Sequence, residues 1–185
     1  MRIVAGKFRG RVIAAPTSNA IRPTTDRTRE TLFNVLEHGF AGCLDGARVL
    51  DLFSGTGALG LEALSRGAAY CQFVEDSVEG RGLLRTNIES FGLTGATRIF
   101  RRDATQLGPL GPGQPFTLVF ADPPYGKGLA EKALQSAVAG QWLAPGALIV
   151  VEEEVSAGFQ FPNCFAEQDR RTFGKTEIAM AHYLA

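Results

Sequence analysis

Arg48-Val49-Leu50-Asp51-Leu52-Phe53-Ser54-Gly55-Thr56-Gly57-Ala58-Leu59-Gly60 decides how the rest of the chain is read. An apolar run ends in a glycine-rich turn, and Leu59, Leu61 and Leu64 then begin a helical spacing. A strand therefore feeds a helix through a loop with little side-chain bulk, where a ligand can lie against the backbone. The glycines satisfy G-x-G-x-x-G and Glu75 lies twenty residues beyond Gly55, which is the usual dinucleotide fingerprint.

Asp51 argues against a dinucleotide. It sits inside the strand just ahead of the glycines, where a pyrophosphate would have to approach. A buried carboxylate repels phosphate but suits the ammonium or sulfonium of a methionine-like ligand. S-adenosylmethionine (SAM) fits this turn better than NAD. The plain alternative is a strand-turn-helix with no ligand.

The length of 185 residues suits one domain with a small appendage, and 45% hydrophobic residues is normal for a globular chain. No apolar run approaches the roughly 20 residues of a membrane span. No signal-peptide core follows the first basic residues. The chain thus reads as soluble and cytoplasmic, with no membrane partner. Cys43, Cys71 and Cys164 are odd in number and form no C-x-x-C pair, which points to a reducing compartment and no zinc site. His38 and His182 lack metal-spaced companions, so no metal is expected.

Net charge is zero, but its distribution is uneven. Residues 1–30 hold seven cations (Arg2, Lys7, Arg9, Arg11, Arg22, Arg27, Arg29) against Asp26 and Glu30, or +5, leaving −5 elsewhere. A local phosphate-binding surface on a neutral enzyme has this asymmetry. A solvated basic arm explains it equally well.

Residues 2–5 and 11–14 flank Gly6-Lys7-Phe8-Arg9-Gly10 and read as a hairpin. Its tip would display Lys7, Phe8 and Arg9, able to meet a phosphate backbone and stack on a base, although Phe8 can equally pack inward. Pro16 and Pro23 bracket an extended connector. A helix then starts near Thr25 or Asp26, with Leu32, Phe33 and Leu36 on its buried face and Arg29 near the other side. Gly39 ends it. This helix is placed to fold over the pocket as a lid.

From residue 47 strands and helices alternate. Strands are expected at 70–74, 97–100, 116–121 and 147–151, the last ending in three glutamates. Helical spacing runs through Leu83, Leu84, Ile88 and Phe91, and a further helix covers 128–139. Residues 159–161, 165–168 and 177–184 look like a closing antiparallel pair. The rhythm implies an α/β fold, with a mainly parallel sheet and helices on both faces.

In such sheets ligands bind at the carboxyl ends of the strands. Those ends carry Asp51 and the glycines, then Glu75, Asp103 and Asp122-Pro123-Pro124-Tyr125. Around one adenosyl ligand Glu75 can accept both ribose hydroxyls and Asp103 the adenine amine. Asp122-Pro123-Pro124-Tyr125-Gly126 resembles the (Asp/Asn/Ser)-Pro-Pro-(Tyr/Phe/Trp) motif of the amino-methyltransferases, which holds a planar NH2 group. Two prolines fix φ and remove two donors, leaving a rigid turn rich in acceptors. The Asp122 carboxylate and the Pro123 carbonyl can each accept one amine hydrogen, and Tyr125 offers a flat face to an extruded base. Positioning is then the main catalytic device.

A narrower resemblance follows from residues 22–34, Arg-Pro-Thr-Thr-Asp-Arg-Thr-Arg-Glu-Thr-Leu-Phe-Asn, from the opening residues 2–11, from 51–68, and from Phe173-Gly174-Lys175-Thr176. Together they resemble the bacterial 16S ribosomal RNA guanine-N2 methyltransferases of the RsmD type, over nearly the whole chain. The resemblance implies a class I SAM-dependent methyltransferase, Rossmann-like, with a seven-stranded mainly parallel sheet, an antiparallel closing pair and a small N-terminal hairpin and helix extension. It implies an extension over residues 1–40 and a methyltransferase domain over 41–185. The implied substrate is a guanine of 16S rRNA within an assembled or assembling small subunit, methylated by a monomer.

The implied cofactor residues are Asp51, Phe53, Ser54, Gly55, Thr56 and Gly57, then Glu75, Asp76, Asp103 and Ala104. Those facing RNA are Lys7, Phe8, Arg9 and Arg11, and Arg22, Thr24, Asp26 and Arg27 in the lid segment. The same motif also serves DNA adenine N6 and protein glutamine amide methylation, which remain within-class alternatives. An NAD-dependent oxidoreductase is the other class, and it leaves Asp51 and the Pro-Pro-Tyr turn without a purpose.

Overall fold

The alternation that begins at residue 47 folds into a single twisted sheet. The computed structural model describes residues 1–17 and 25–185. Its strands are β1 (Arg48–Leu52), β2 (Tyr70–Val74), β3 (Thr97–Phe100), β4 (Phe116–Ala121), β5 (Leu143–Glu154), β6 (Phe165–Phe173) and β7 (Thr176–Tyr183). They lie side by side in the order β3-β2-β1-β4-β5-β7-β6. Strands β1 to β5 pair in parallel, and β7 runs antiparallel between β5 and β6. The seven-stranded α/β architecture with an antiparallel closing pair is the one expected.

Parallel neighbours need crossovers. Helices α2 (Ala58–Ser65), α3 (Val78–Phe91) and α4 (Leu129–Ala139) supply three of them. Because strand order reverses between β1 and β4, the crevice for a ligand opens there, above the carboxyl ends of those strands.

Alternation along the strands divides the core in two. Val49, Phe120 and Val150 join the cluster under α1 (Asp26–Gly39), α2 and α3, while Leu50, Ala121 and Val151 join the one under α4. On α1 the Thr25 hydroxyl caps the helix by accepting from the Thr28 N–H at 3.1 Å. Arg29 corrects the sequence reading, since it is fully buried with Leu32, Phe33 and Leu36 rather than on the other side. Residues 29, 32, 33 and 36 fall on one helical stripe, and Glu62 of α2 receives the guanidinium at 3.3 Å.

The N-terminal hairpin is smaller than expected, with Arg2 and Val12 forming its one bridge. The reason lies in where its donors go. The N–H groups of Val4 and Ala5 bond Glu62, that of Lys7 bonds the Ser65 carbonyl, and that of Ala14 bonds Asn87. The arm thus pairs with itself, Ile3 N–H to the Arg11 carbonyl and Ile13 N–H to the Met1 carbonyl at 2.9 Å each, and is also clamped to α2 and α3.

Two further boundaries shift. Strand β5 begins at Leu143 and continues through the glutamates, with Glu152 and Glu153 buried. Residues 159–161 are not a strand, because the Phe159 and Phe161 rings meet edge to face at 4.8 Å and Pro162 follows.

Candidate active site

A cavity of about 510 Å³ opens above the carboxyl ends of β1, β2 and β4. This is a normal size for a small-molecule site. The cap residue Thr25 and Thr28 in the first turn of α1 contribute to its wall.

Asp51 lines the cavity while only 2% exposed, and its Oδ2 accepts the Gly60 N–H at 3.1 Å. Burial, then the backbone bond against it and the Glu75 charge with it, set its carboxyl well above the ordinary range. A cation entering beside it would reverse that shift. Phe53, next along, takes φ of 58°, a left-handed conformation uncommon for a bulky residue. Such strain is held by its surroundings and clusters at functional sites.

Ser54, Gly55 and Thr56 complete this wall. The Ser54 hydroxyl donates to the Asp51 and Val74 carbonyls at 2.5 and 3.1 Å, pinning the turn to both strands. Gly57 is not at the cavity. It starts α2 at φ of 82°, and a Cβ there would stand 2.6 Å from Leu84.

Glu75 lies at the end of β2 with both oxygens already engaged, Oε2 by the Gly55 N–H at 2.7 Å and Oε1 by the Ser77 N–H at 2.9 Å. Each carboxylate oxygen retains acceptor capacity, so Glu75 both shapes the turn and can receive hydroxyls. Asp76, Asp103 and Ala104 also line the pocket. Asp103 Oδ1 accepts the Thr105 N–H and hydroxyl at 2.8 and 2.7 Å.

Across the crevice stand Asp122, Pro123, Pro124 and Tyr125, all on the same cavity. The Tyr125 hydroxyl donates to Glu152 Oε1 at 3.1 Å. Burial, then the Glu152 charge, pushes the phenol up to about 12, so it remains a donor at any working pH. Among the described residues no group of His, Cys, Asp or Glu could hold a metal ion, and no helix is long and apolar enough to cross a membrane.

The basic arm lies elsewhere. Helix α3 begins beside the pocket at Glu79 and ends at Phe91, which meets Phe8 edge-on at 5.2 Å. At 1.5 Å per residue the arm's tip is therefore about 20 Å down the flank from the cavity. Phe8 is half-buried against the core, leaving Lys7, Arg9 and Arg11 exposed, with Arg11 over the Phe91 ring at 4.4 Å. Of the two placements open to Phe8, packing against Phe91 is the one adopted, because burial there gains more than exposure to water. Asp26 is likewise a clamp, accepting from Arg29 at 2.9 Å and the Arg2 N–H at 3.3 Å. Arg27 is exposed, and Arg22 and Thr24 lie outside the described residues.

Sequence reading missed Glu152, Thr28, Arg102 and, as site residues, Phe173 and Thr176, which all line the cavity. Glu152 carried a signal, since it closes the apolar run of the strand next to β4. Arg102 immediately precedes Asp103 just past the end of β3, while Thr28, Phe173 and Thr176 come from elements that tertiary packing brings near.

The comparisons agree with this geometry. The family model described as Conserved hypothetical protein 95 matches residues 1–182. Ribosomal RNA small subunit methyltransferase D of Escherichia coli K12 is 42% identical over 159 residues, covering 85% of this chain and 77% of that protein. The solved Escherichia coli yhhF structure matches with a TM-score of 0.85 at 35% identity, over 100% of this chain and 98% of that one. An RNA methyltransferase from Salinibacter ruber, solved with S-adenosyl-L-homocysteine, matches at 0.65 over 88% and 94% of the two chains, and at 14% identity it speaks for the fold alone. From the match over nearly its full length and this identity, the chain belongs to the family of ribosomal RNA small subunit methyltransferase D.

Proposed function

We propose that the protein transfers a methyl group from SAM to the exocyclic N2 amine of a guanine in 16S rRNA, within the small ribosomal subunit or its assembly intermediate. The observation that carries this is the placing of two carboxylates. Asp51 and Asp122 end neighbouring strands at the point where sheet order reverses, and both line one cavity. The first suits a cationic donor, and the second, with the Pro123 carbonyl, suits an amine. An NAD-dependent oxidoreductase gives neither acid a task.

In this reading Asp51 and residues 53–56 hold the methionine end of SAM, Glu75 and Asp76 the ribose, and Asp103 and Ala104 the adenine. Asp122, Pro123, Pro124 and Tyr125 hold the base with its nitrogen lone pair aimed at the methyl carbon. Once methylated the nitrogen becomes acidic and yields its proton to Asp122 or to solvent. Lys7, Arg9 and Arg11 meet phosphates along the flank, and Arg22, Thr24 and Arg27 are assigned to RNA contact as well. Residues 1–40 form the RNA-facing extension and 41–185 the catalytic domain of a cytoplasmic monomer.

DNA adenine and protein glutamine methylation share the Asp-Pro-Pro-Tyr chemistry. Incubation with methyl-labelled SAM and small subunits, DNA or a glutamine-bearing protein separates the three. Label is expected in N2-methylguanosine of 16S rRNA; label in DNA or protein alone would remove this reading.

A further inference from the structure

The acceptor corner contains a carboxylate that the Asp-Pro-Pro-Tyr motif does not include. Ala121 of β4 pairs with Val151 of β5, so Asp122 and Glu152 follow at one level on neighbouring strands, whose backbones lie roughly 5 Å apart. The preceding Phe120 and Val150 share one face of the sheet, and alternation puts Asp122 and Glu152 on that face too. Glu152 is 6% exposed yet lines the same cavity as Asp122 and Tyr125. The Tyr125 hydroxyl, held at 3.1 Å from Oε1, fixes the direction of this side chain.

The chemistry of the bases makes such a group selective. Guanine carries a second donor, N1–H, directly beside its N2 amine. Beside the amine of adenine stands a bare N1, and beside that of cytosine a bare N3, both acceptors. An ionised carboxylate accepts only, with about four acceptor positions over its two oxygens, so one bond from Tyr125 does not exhaust it. We propose that Glu152 is the residue that selects guanine, accepting its N1–H while Asp122 and the Pro123 carbonyl hold the N2 amine. Adenine would set a lone pair against a buried carboxylate and leave both without a hydrogen. Sites built to hydrogen-bond one partner reject its counterpart strongly for this reason.

The inference rests on the rRNA guanine reading above, and the test separates the two. The wild type is first used to map the labelled nucleotide in small subunits from a strain lacking the protein. Subunits are then reconstituted with guanine or 2-aminopurine at that nucleotide. The analogue keeps the N2 amine but has a bare N1. Wild type is expected to methylate it at least 100-fold more slowly than guanine. In E152Q the Tyr125 hydroxyl holds the amide oxygen and the NH2 faces N1, where it donates to a bare N1 and opposes N1–H, so the guanine rate is expected to fall at least 100-fold and the preference to shrink below tenfold. SAM affinity should stay within threefold.

Equal wild-type rates on both bases would overturn the inference, whatever the variant does. So would an E152Q protein that keeps the wild-type preference. Wild type that labels no guanine in subunits would instead overturn the functional reading itself.

Discussion

Arg29 Nε lies 3.3 Å from Glu62 Oε2 with both side chains wholly withdrawn from solvent. Glu62 also receives the N–H groups of Val4 and Ala5 at 2.9 and 3.0 Å and Arg66 Nε at 2.9 Å. Arg29 in turn donates to Asp26 and to the Arg2 carbonyl. The arm, α1 and the helix of the glycine turn thus meet at one buried carboxylate.

Removing that carboxylate takes the buried Arg29 guanidinium's partner on α2 and leaves the Val4 and Ala5 N–H groups without their acceptor. Glu62→Ala is expected to destabilise the fold by about 3–5 kcal/mol in urea unfolding. Glu37→Ala removes only the half-exposed partner of Arg66 at 3.1 Å and is expected to cost about 0–1 kcal/mol. Similar small losses in both variants would show that the network is not structural.

Asp51 makes donor binding pH-dependent. Burial raises its folded-state carboxyl pKa above the unfolded value, so the apoprotein loses stability as pH rises between those two values. A cationic donor favours the ionised form, so binding releases a proton and affinity climbs with pH over the same window. Calorimetry in buffers of different ionisation enthalpy measures that release. Asp51→Asn should abolish it and weaken SAM by about 10–100-fold, in line with about 1.5–3 kcal/mol for a hydrogen bond to a charged group. Proton uptake on binding would contradict the assignment.

The arm separates charge from packing. Lys7→Ala with Arg9→Ala is expected to weaken subunit binding and lower the salt slope by about 2, with SAM affinity and thermal stability unchanged. Phe8→Ala removes a ring packed on Phe91 and is expected to cost about 3 kcal/mol of stability instead. Thermal melts and filter binding at several salt concentrations check both. A salt slope unaltered by the double change would move the RNA away from this flank.

Two glycines of the helices should respond oppositely. At Gly60 a Cβ would lie 2.4 Å from Phe73 Cε1 and 2.6 Å from Cys71 Sγ, so Gly60→Ala is expected to cost about 1–3 kcal/mol by overpacking. At Gly82, exposed on α3, a Cβ would meet nothing within 4 Å, and Gly82→Ala is expected to stabilise by about 0.5–1 kcal/mol. Denaturant melts that rank the two the other way would refute this packing. The last glycine of the G-x-G-x-x-G pattern is thus explained by helix-to-strand contact and needs no phosphate.

What was legible in the chain was what local periodicity and strand ends encode. β2 and β4 fall where their apolar runs lie, and Asp51, Glu75, Asp103 and Asp122 meet at one cavity because parallel strands carry their ends to one edge. What was not legible depends on distant partners. Arg29 reads as a surface cation until Glu62 is brought beside it, and nothing local shows that the hairpin's remaining donors go to α2 and α3. Glu152 stood in plain view in a run of three glutamates. Its task emerges only from the β4–β5 register, which places it level with Asp122.

The central claim is that Asp122 acts on the acceptor and Asp51 on the donor. Asp122→Ala, assayed in parallel for SAM affinity by calorimetry and for methyl transfer to small subunits, tests it most directly. The account predicts transfer lost by at least 100-fold with SAM affinity within threefold of wild type. Loss of SAM binding in step with transfer, or transfer left intact, would contradict it.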